Sequence, residues 1–234
     1  MRRQGDIGDI GDRPPVLLPP CYIVGAGEFS GRFLLSGDEY VIAADAGYAV
    51  LMGNGIMPDL VVGDFDSLGI VPEHPNLVSS PGEKDDTDML IAVREGLARG
   101  YKSFIIDGAL GGRLDHTLAN IQILKMLAQN SAYGVLLGHD ICVTAIANGT
   151  VSFAPAASGV ISVFACGDKA EGVTLTGLKY NLSNAALTDC YPIGVSNEFT
   201  GEPATVTVKS GTLIITWTGS PFSLNSEFGI RNSE

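Results

Sequence analysis

Positive charge is scarce in this sequence. Its 234 residues carry 14 Lys and Arg against 26 Asp and Glu, a net charge of −12. So acidic a balance excludes a nucleic-acid-binding surface, which needs a basic stripe against the phosphate backbone. It leaves room for a nucleotide that arrives with its own cation. Cysteine is also sparse: Cys21, Cys142, Cys166 and Cys190 stand far apart with no Cys-x-x-Cys pair. That excludes a zinc ribbon and reads as four reduced core thiols of a cytoplasmic protein. His74, His116 and His139 are scattered, and Trp217 is the sole tryptophan. No apolar run reaches the ~18 residues that a membrane-spanning helix requires. Residues 1–15, rich in Gly, Asp and Arg, lack the apolar core of a signal peptide and read as a disordered leader.

What is present is an alternation of short apolar runs and helical periodicities. Cys21, Tyr22, Ile23 and Val24 read as a strand closed by Gly25-Ala26-Gly27. Position 30 is Ser, so the full dinucleotide fingerprint is missing. A second strand ends at Asp45. A helix with Val50 and Leu51 in the core follows and stops at Asn54-Gly55. Leu60, Val61 and Val62 form the next strand, then Gly63, Asp64, Phe65 and Asp66. If that backbone stays extended, Asp64 and Asp66 share one side and Phe65 points into the core. Leu90, Val93 and Leu97 predict a helix after the cluster Asp85, Asp86, Thr87 and Asp88, and helix capping accounts for one or two of those acids. A further strand ends at Asp107. Gly108 to Arg113 is a glycine-rich loop before a helix begun by Leu114, Leu118 and Ile121.

After residue 140 the helical period disappears and Thr, Val, Ser and Gly dominate. Short strands at all-β spacing follow, among them residues 205–209 and 212–218, which flank Ser210-Gly211 and read as a hairpin. By alternation Trp217 shares a face with Leu213 and Ile215. Core packing is the first reading, and its place near a strand end leaves a ligand-stacking role open. The expected fold is therefore α/β. A doubly wound, mostly parallel sheet occupies residues 16–140 and an all-β sandwich residues 141–234.

In such a sheet ligands gather outside the carboxyl ends of the strands. Asp45, Asp64, Asp66 and Asp107 all follow apolar runs there. The cluster of residues 85–88 and the loop carrying Arg113 belong to the same edge. An isolated Asp-x-Asp is ordinarily a solvated turn. So many acids converging with one Arg fit Mg²⁺ and a polyphosphate better, since Mg²⁺ is held by one or two carboxylates plus phosphate oxygens.

These blocks carry a resemblance. Ala44-Asp45-Ala46-Gly47, the block from Pro58 to Ser67, Lys84-Asp85-Asp86-Thr87-Asp88 and Gly112-Arg113-Leu114-Asp115-His116 stand in the order and spacing of thiamine pyrophosphokinases. The resemblance covers most of residues 21–218 and departs from the commoner Ala-Asp-Gly-Gly form at Ala46. It implies a homodimer that transfers diphosphate from ATP to the thiamine hydroxyl and releases AMP. Asp64, Asp66 and Asp88 would then be Mg²⁺ ligands and, with Arg113, catalytic. Asp45, Asp85, Thr87, Arg113, Asp115 and His116 would serve the nucleotide side. Asp88 would also approach thiamine. Ser196, Asn197 and Trp217 resemble the β-domain residues that meet the vitamin across the dimer, with Trp217 stacking on the aminopyrimidine.

Three alternatives stand beside this reading. A related diphosphotransferase could act on another hydroxymethyl heterocycle such as a pterin. A glycosyltransferase could use Asp64 and Asp66 for a sugar nucleotide, which leaves the cluster of residues 85–88 and Arg113 unexplained. A non-catalytic ligand-binding protein would reduce every acid to a cap or a solvated edge.

Overall fold

The computed structural model describes residues 19–32, 35, 37–65, 69, 71–79 and 86–219. The expected leader, residues 16–18, Asp66, Asp85 and the tail from residue 220 lie outside the described residues. The first half contributes β1 (Cys21–Val24), β2 (Val41–Ala44), α1 (Gly47–Gly53), β3 (Leu60–Gly63), β4 (Leu77–Ser79), α2 (Asp88–Ala98), β5 (Ser103–Asp107), α3 (Leu114–Gln129) and β6 (Tyr133–Leu137). The second half contributes β7 (Ile141–Ala147), β8 (Thr150–Phe153), β9 (Val160–Ala165), β10 (Lys169–Thr176), β11 (Leu182–Thr188), β12 (Asn197–Glu198), β13 (Ala204–Thr207) and β14 (Thr212–Thr218).

The parallel strands run in the order β4-β3-β2-β1-β5-β6. The winding reverses between β1 and β5, and at such a switch point the loops after the two strands part to leave a crevice. All but the edge strand β4 are buried nearly along their whole length because both faces are covered. Ile23, Ile42, Val62 and Ile106 pack under α2 and α3. Val24, Ala43 and Val61 pack on the opposite face with Leu51 of α1.

The all-β half does not stand apart from this sheet. β7 pairs antiparallel with β6, and β14, β9 and β12 extend the same sheet to ten strands. A separate four-stranded sheet, β11-β10-β13-β8, packs on that extension. The sandwich core between them holds Phe153, Val206, Leu213, Ile215 and Trp217.

The expected hairpin at Ser210-Gly211 is overturned. β13 belongs to the small sheet, between β10 and β8, while β14 lies in the large one between β7 and β9. The chain crosses from layer to layer there, and the apolar faces of the two strands oppose each other across the sandwich core. Two helical phases also differ from the periodicity. On α2 the buried residues are Met89, Ala92, Val93 and Gly96. Gly96 sets that phase, because a Cβ there would sit 2.5 Å from the Phe104 ring. On α3 they are Asn120, Ile123, Leu124, Leu127 and Ala128, and Leu114 and Leu118 are exposed. Of the four thiols, Cys21 and Cys142 are buried, whereas Cys166 is half-buried and Cys190 exposed. Burial pushes the Cys21 thiol up to about 12 and Cys142 to about 11, so neither is a nucleophile at neutral pH. No helix among the described residues is long and apolar enough to cross a membrane.

Candidate active site

Two glycine loops open the site at the switch point. The loop after β1 and the loop after β5 run side by side, joined by Gly25 N–H to Asp107 O (2.9 Å) and Gly27 N–H to Gly108 O (2.8 Å). A Cβ on Gly27 would lie 2.6 Å from Gly108 O, and one on Gly108, whose φ is +64°, 2.5 Å from Gly25 O. Glycine is therefore required where the two backbones touch. Gly47 has a matching reason: its Cβ would stand 2.0 Å from Val24 O, where α1 starts beneath β1.

Between these loops and the start of α2 lies a cleft of about 410 Å³. Asp45, Asp64 and Asp88 enter it from the end of β2, the end of β3 and the first turn of α2, each half-buried. One carboxylate oxygen from each lies within 4.8 Å of the other two. Asp45 is a non-glycine residue at φ 50°, and its Oδ1 is buried with no hydrogen-bond partner among the described residues. A left-handed backbone and an orphaned carboxylate oxygen both cost free energy. A hard cation that takes oxygen ligands repays both and cancels the repulsion among three acids. The donor set therefore fits Mg²⁺.

Among the described residues the carboxylate cluster holds two of the expected ligands and adds Asp45. Asp45 stands with Asp64 and Asp88, and Asp66 lies outside the described residues. The backbone after β3 does not stay extended: Phe65 is left-handed at φ 62° and its ring is buried. The expected alternation of Asp64 and Asp66 therefore does not follow from strand geometry. Thr87 caps α2, its Oγ1 accepting from Leu90 N–H at 3.2 Å. Asp86 lines the cleft and is ion-paired with Arg94.

On the opposite wall, Gly111, Gly112, Arg113 and His116 line the cleft at the start of α3. Arg113 grips Asp115 with two bonds, Nη2 to Oδ2 at 2.6 Å and Nε to Oδ1 at 3.1 Å. Both side chains are largely exposed, Arg113 at 72%. The guanidinium holds the Asp115 carboxyl down at about 2. A depressed acid contributes its stabilisation above the unfolded value and loses it as pH falls through about 2, so this pair stays ionised at every working pH. In solvent such a pair adds little to stability.

Sequence reasoning missed Asn120. It is buried on α3 with its amide donating to Ala109 O at 2.7 Å, and it lines the cleft. The signal was legible as one polar residue in phase with Ile123, Leu124 and Leu127. Asp107 was expected among the converging acids but lies outside the carboxylate cluster. Its oxygens accept from Ser30 and from Gly108 N–H.

The β-domain candidates lie elsewhere. β12 is six strand spacings from β1 in the large sheet. At about 4.8 Å per spacing, β12, which carries Asn197, is roughly 24–29 Å along the sheet from the two strands that carry the glycine loops. The Asn197 side chain accepts from Tyr180 N–H and donates to Tyr180 O, so it anchors that loop. Ser196 is exposed and left-handed at φ 60°. Trp217 is 1% exposed, its ring edge-on to Phe153 at 5.5 Å between centroids. The indole packs in the sandwich core, the first of the two readings. Trp217→Ala should lower stability by about 3–5 kcal/mol. Trp217→Phe should leave the KM for any ligand of this domain within about twofold. A large rise in KM with unchanged thermal stability would return the indole to the ligand.

A doubly wound sheet with a carboxylate triad, glycine loops and an Arg at its switch point defines a phosphoryl-transfer class. The family described as "Thiamin pyrophosphokinase, catalytic domain" matches residues 32–136, and "Thiamin pyrophosphokinase, vitamin B1 binding domain" matches residues 145–213. The thiamine pyrophosphokinase of Bacillus subtilis is 31% identical over 194 residues, covering 76% of this chain and 87% of that protein. The crystal structure of thiamine pyrophosphokinase from the same organism superposes with a TM-score of 0.76 at 25% identity, over 86% of this chain and 100% of that one. That of Geobacillus thermodenitrificans gives 0.73 at 26%, over 88% and 100%. This chain belongs to the thiamine pyrophosphokinase family.

Proposed function

We propose that the cleft at the switch point binds ATP with Mg²⁺ and transfers its terminal diphosphate to the thiamine hydroxyl. The observation that carries this is the triad of Asp45, Asp64 and Asp88 with the buried, unpartnered Oδ1 of Asp45. These three residues would hold Mg²⁺, which when bound supplies positive charge against the phosphate oxygens. The glycine loops offer close backbone approach to the polyphosphate. Arg113 trades Asp115 for phosphate oxygens, which its planar fork suits equally well. Thiamine's hydroxyl oxygen bonds to the β-phosphorus in line, the bond from that phosphorus to the bridging oxygen breaks, and AMP leaves with the bridge. The hydroxyl proton passes to an adjacent carboxylate, for which Asp88 is the candidate. Catalysis in this scheme is mostly positioning and charge neutralisation.

The separation of β12 from the strands that carry the glycine loops, roughly 24–29 Å along the sheet, supports a homodimer in which Ser196 of one protomer and the carboxylates of its partner meet one ligand. A cytoplasmic location is part of the same proposal, resting on the free thiols of all four cysteines. The test is AMP release from ATP with and without thiamine and Mg²⁺. AMP should appear only with both present. AMP formed equally well with a hydroxymethyl pterin in place of thiamine would move the reading to that substrate, and none with either would remove it.

A further inference from the structure

We propose that Asp107 and Ser30 form a positioning bolt that sets the width of the polyphosphate cradle, separate from the metal-binding acids. Asp107 ends β5 and is 1% exposed, yet among the described residues it forms no ion pair with a Lys, Arg or His. Its charge is met by neutral donors instead. Oδ1 accepts from Ser30 N–H at 2.8 Å and from Gly108 N–H at 2.7 Å, and Oδ2 accepts from Ser30 Oγ at 2.6 Å. A buried carboxylate left short of donors would be costly, so this geometry is strongly specified.

The bonds tie two particular segments. Ser30 lies in the segment that begins at Gly25 after β1, and Gly108 opens the loop that ends at Arg113. Gly25, Gly27, Gly108 and Arg113 all line the cleft, whereas Asp107 itself does not. Glu28 N–H to Leu110 O, at 3.4 Å, continues the backbone contacts between the two segments. Ser30 Oγ also accepts from Arg32 N–H at 3.2 Å, and the Arg32 guanidinium donates to Gly138 O at 2.8 Å and to Gly219 O. The bolt thus reaches from the cradle to the β6–β7 turn and the end of β14. Asp107 acts on the phosphates only through these backbones.

The proposal rests on the cleft being the ATP site. Steady-state AMP release, with ATP and thiamine varied in turn, tests it. Asp107→Asn retains the shape: its Oδ1 accepts from the Ser30 and Gly108 N–H groups as before, and its Nδ2 donates to Ser30 Oγ, whose half-buried hydroxyl then turns its own hydrogen to solvent. It should stay within about threefold of the parent in kcat and both KM values. Asp107→Ala should raise the KM for ATP about tenfold or more and leave that for thiamine within about twofold. Ser30→Ala should raise the KM for ATP about threefold, and the double variant should match Asp107→Ala because the two share one interaction. Asp107→Asn as damaging as Asp107→Ala would overturn the proposal in favour of a charge role. So would an unchanged KM for ATP in Ser30→Ala, which remains measurable if Asp107→Ala does not fold. Asp64→Ala in the same assay reports separately on the underlying reading: full activity there would mean the cleft is not the ATP site.

Discussion

Asp64→Ala is expected to cut AMP release with ATP, Mg²⁺ and thiamine by on the order of 10³-fold, several kcal/mol of barrier. The variant removes one of three carboxylates that meet within 4.8 Å. The two that remain hold a divalent cation less firmly and leave it poorly placed for in-line transfer. Stability should move the other way. Without a cation each pair of acids repels by roughly 3–4 kcal/mol at an effective dielectric near 20, and by less once solvent and salt screen these half-exposed groups. Metal-free Asp64→Asn should therefore melt higher than the metal-free parent. Mg²⁺ should raise the melting temperature of the parent and have little effect on the variant, because only the parent gains binding free energy. Calorimetry with and without Mg²⁺ separates the two signs. A variant that melts lower than the parent in both conditions would show that Asp64 is a packing residue and not part of a cation site.

The second large effect concerns Arg113. Arg113→Ala should lower kcat/KM for ATP by about 10²–10³-fold, at the lower end of what a guanidinium aimed at a transferring phosphoryl group supplies. Arg113→Lys should recover only part of this, since an ammonium cannot reproduce the planar two-bond contact that the guanidinium now makes with Asp115. Asp115→Asn should change kcat/KM by no more than about threefold, because in the proposed reaction phosphate replaces this carboxylate on Arg113. The Asp115 carboxyl sits at about 2 through its bond to Arg113. Its titration therefore contributes nothing to a pH–rate profile between pH 5 and 8. In Arg113→Ala the carboxyl should return toward the ordinary aspartate range, which a carbon-detected NMR titration reads directly.

The two experiments bear on different halves of the cleft. Loss in Asp64→Ala with little loss in Arg113→Ala would mean that the α3 wall does not reach the phosphates. The reverse would place the polyphosphate on the glycine loops without a cation from the triad.

By itself the sequence determined the order of strands and helices in the first half except for the short, half-buried edge strand β4, since parallel strands covered on both faces read as continuous apolar runs. It also determined that acids from separate segments share one edge, because every strand of a parallel sheet delivers its carboxyl end there. Residue order could not decide which acids meet. Asp45 joins Asp64 and Asp88, while Asp107, equally placed at a strand end, is spent on Ser30. That choice depends on a left-handed turn at Asp45 and on a loop reaching back across 77 positions, and neither leaves a local signal. Nor could alternation decide whether Val206 and Trp217 lie side by side or face each other. Period-2 patterns are identical for a hairpin and for strands in opposed layers, and only packing across the sandwich core distinguishes them. The buried indole follows from that same choice.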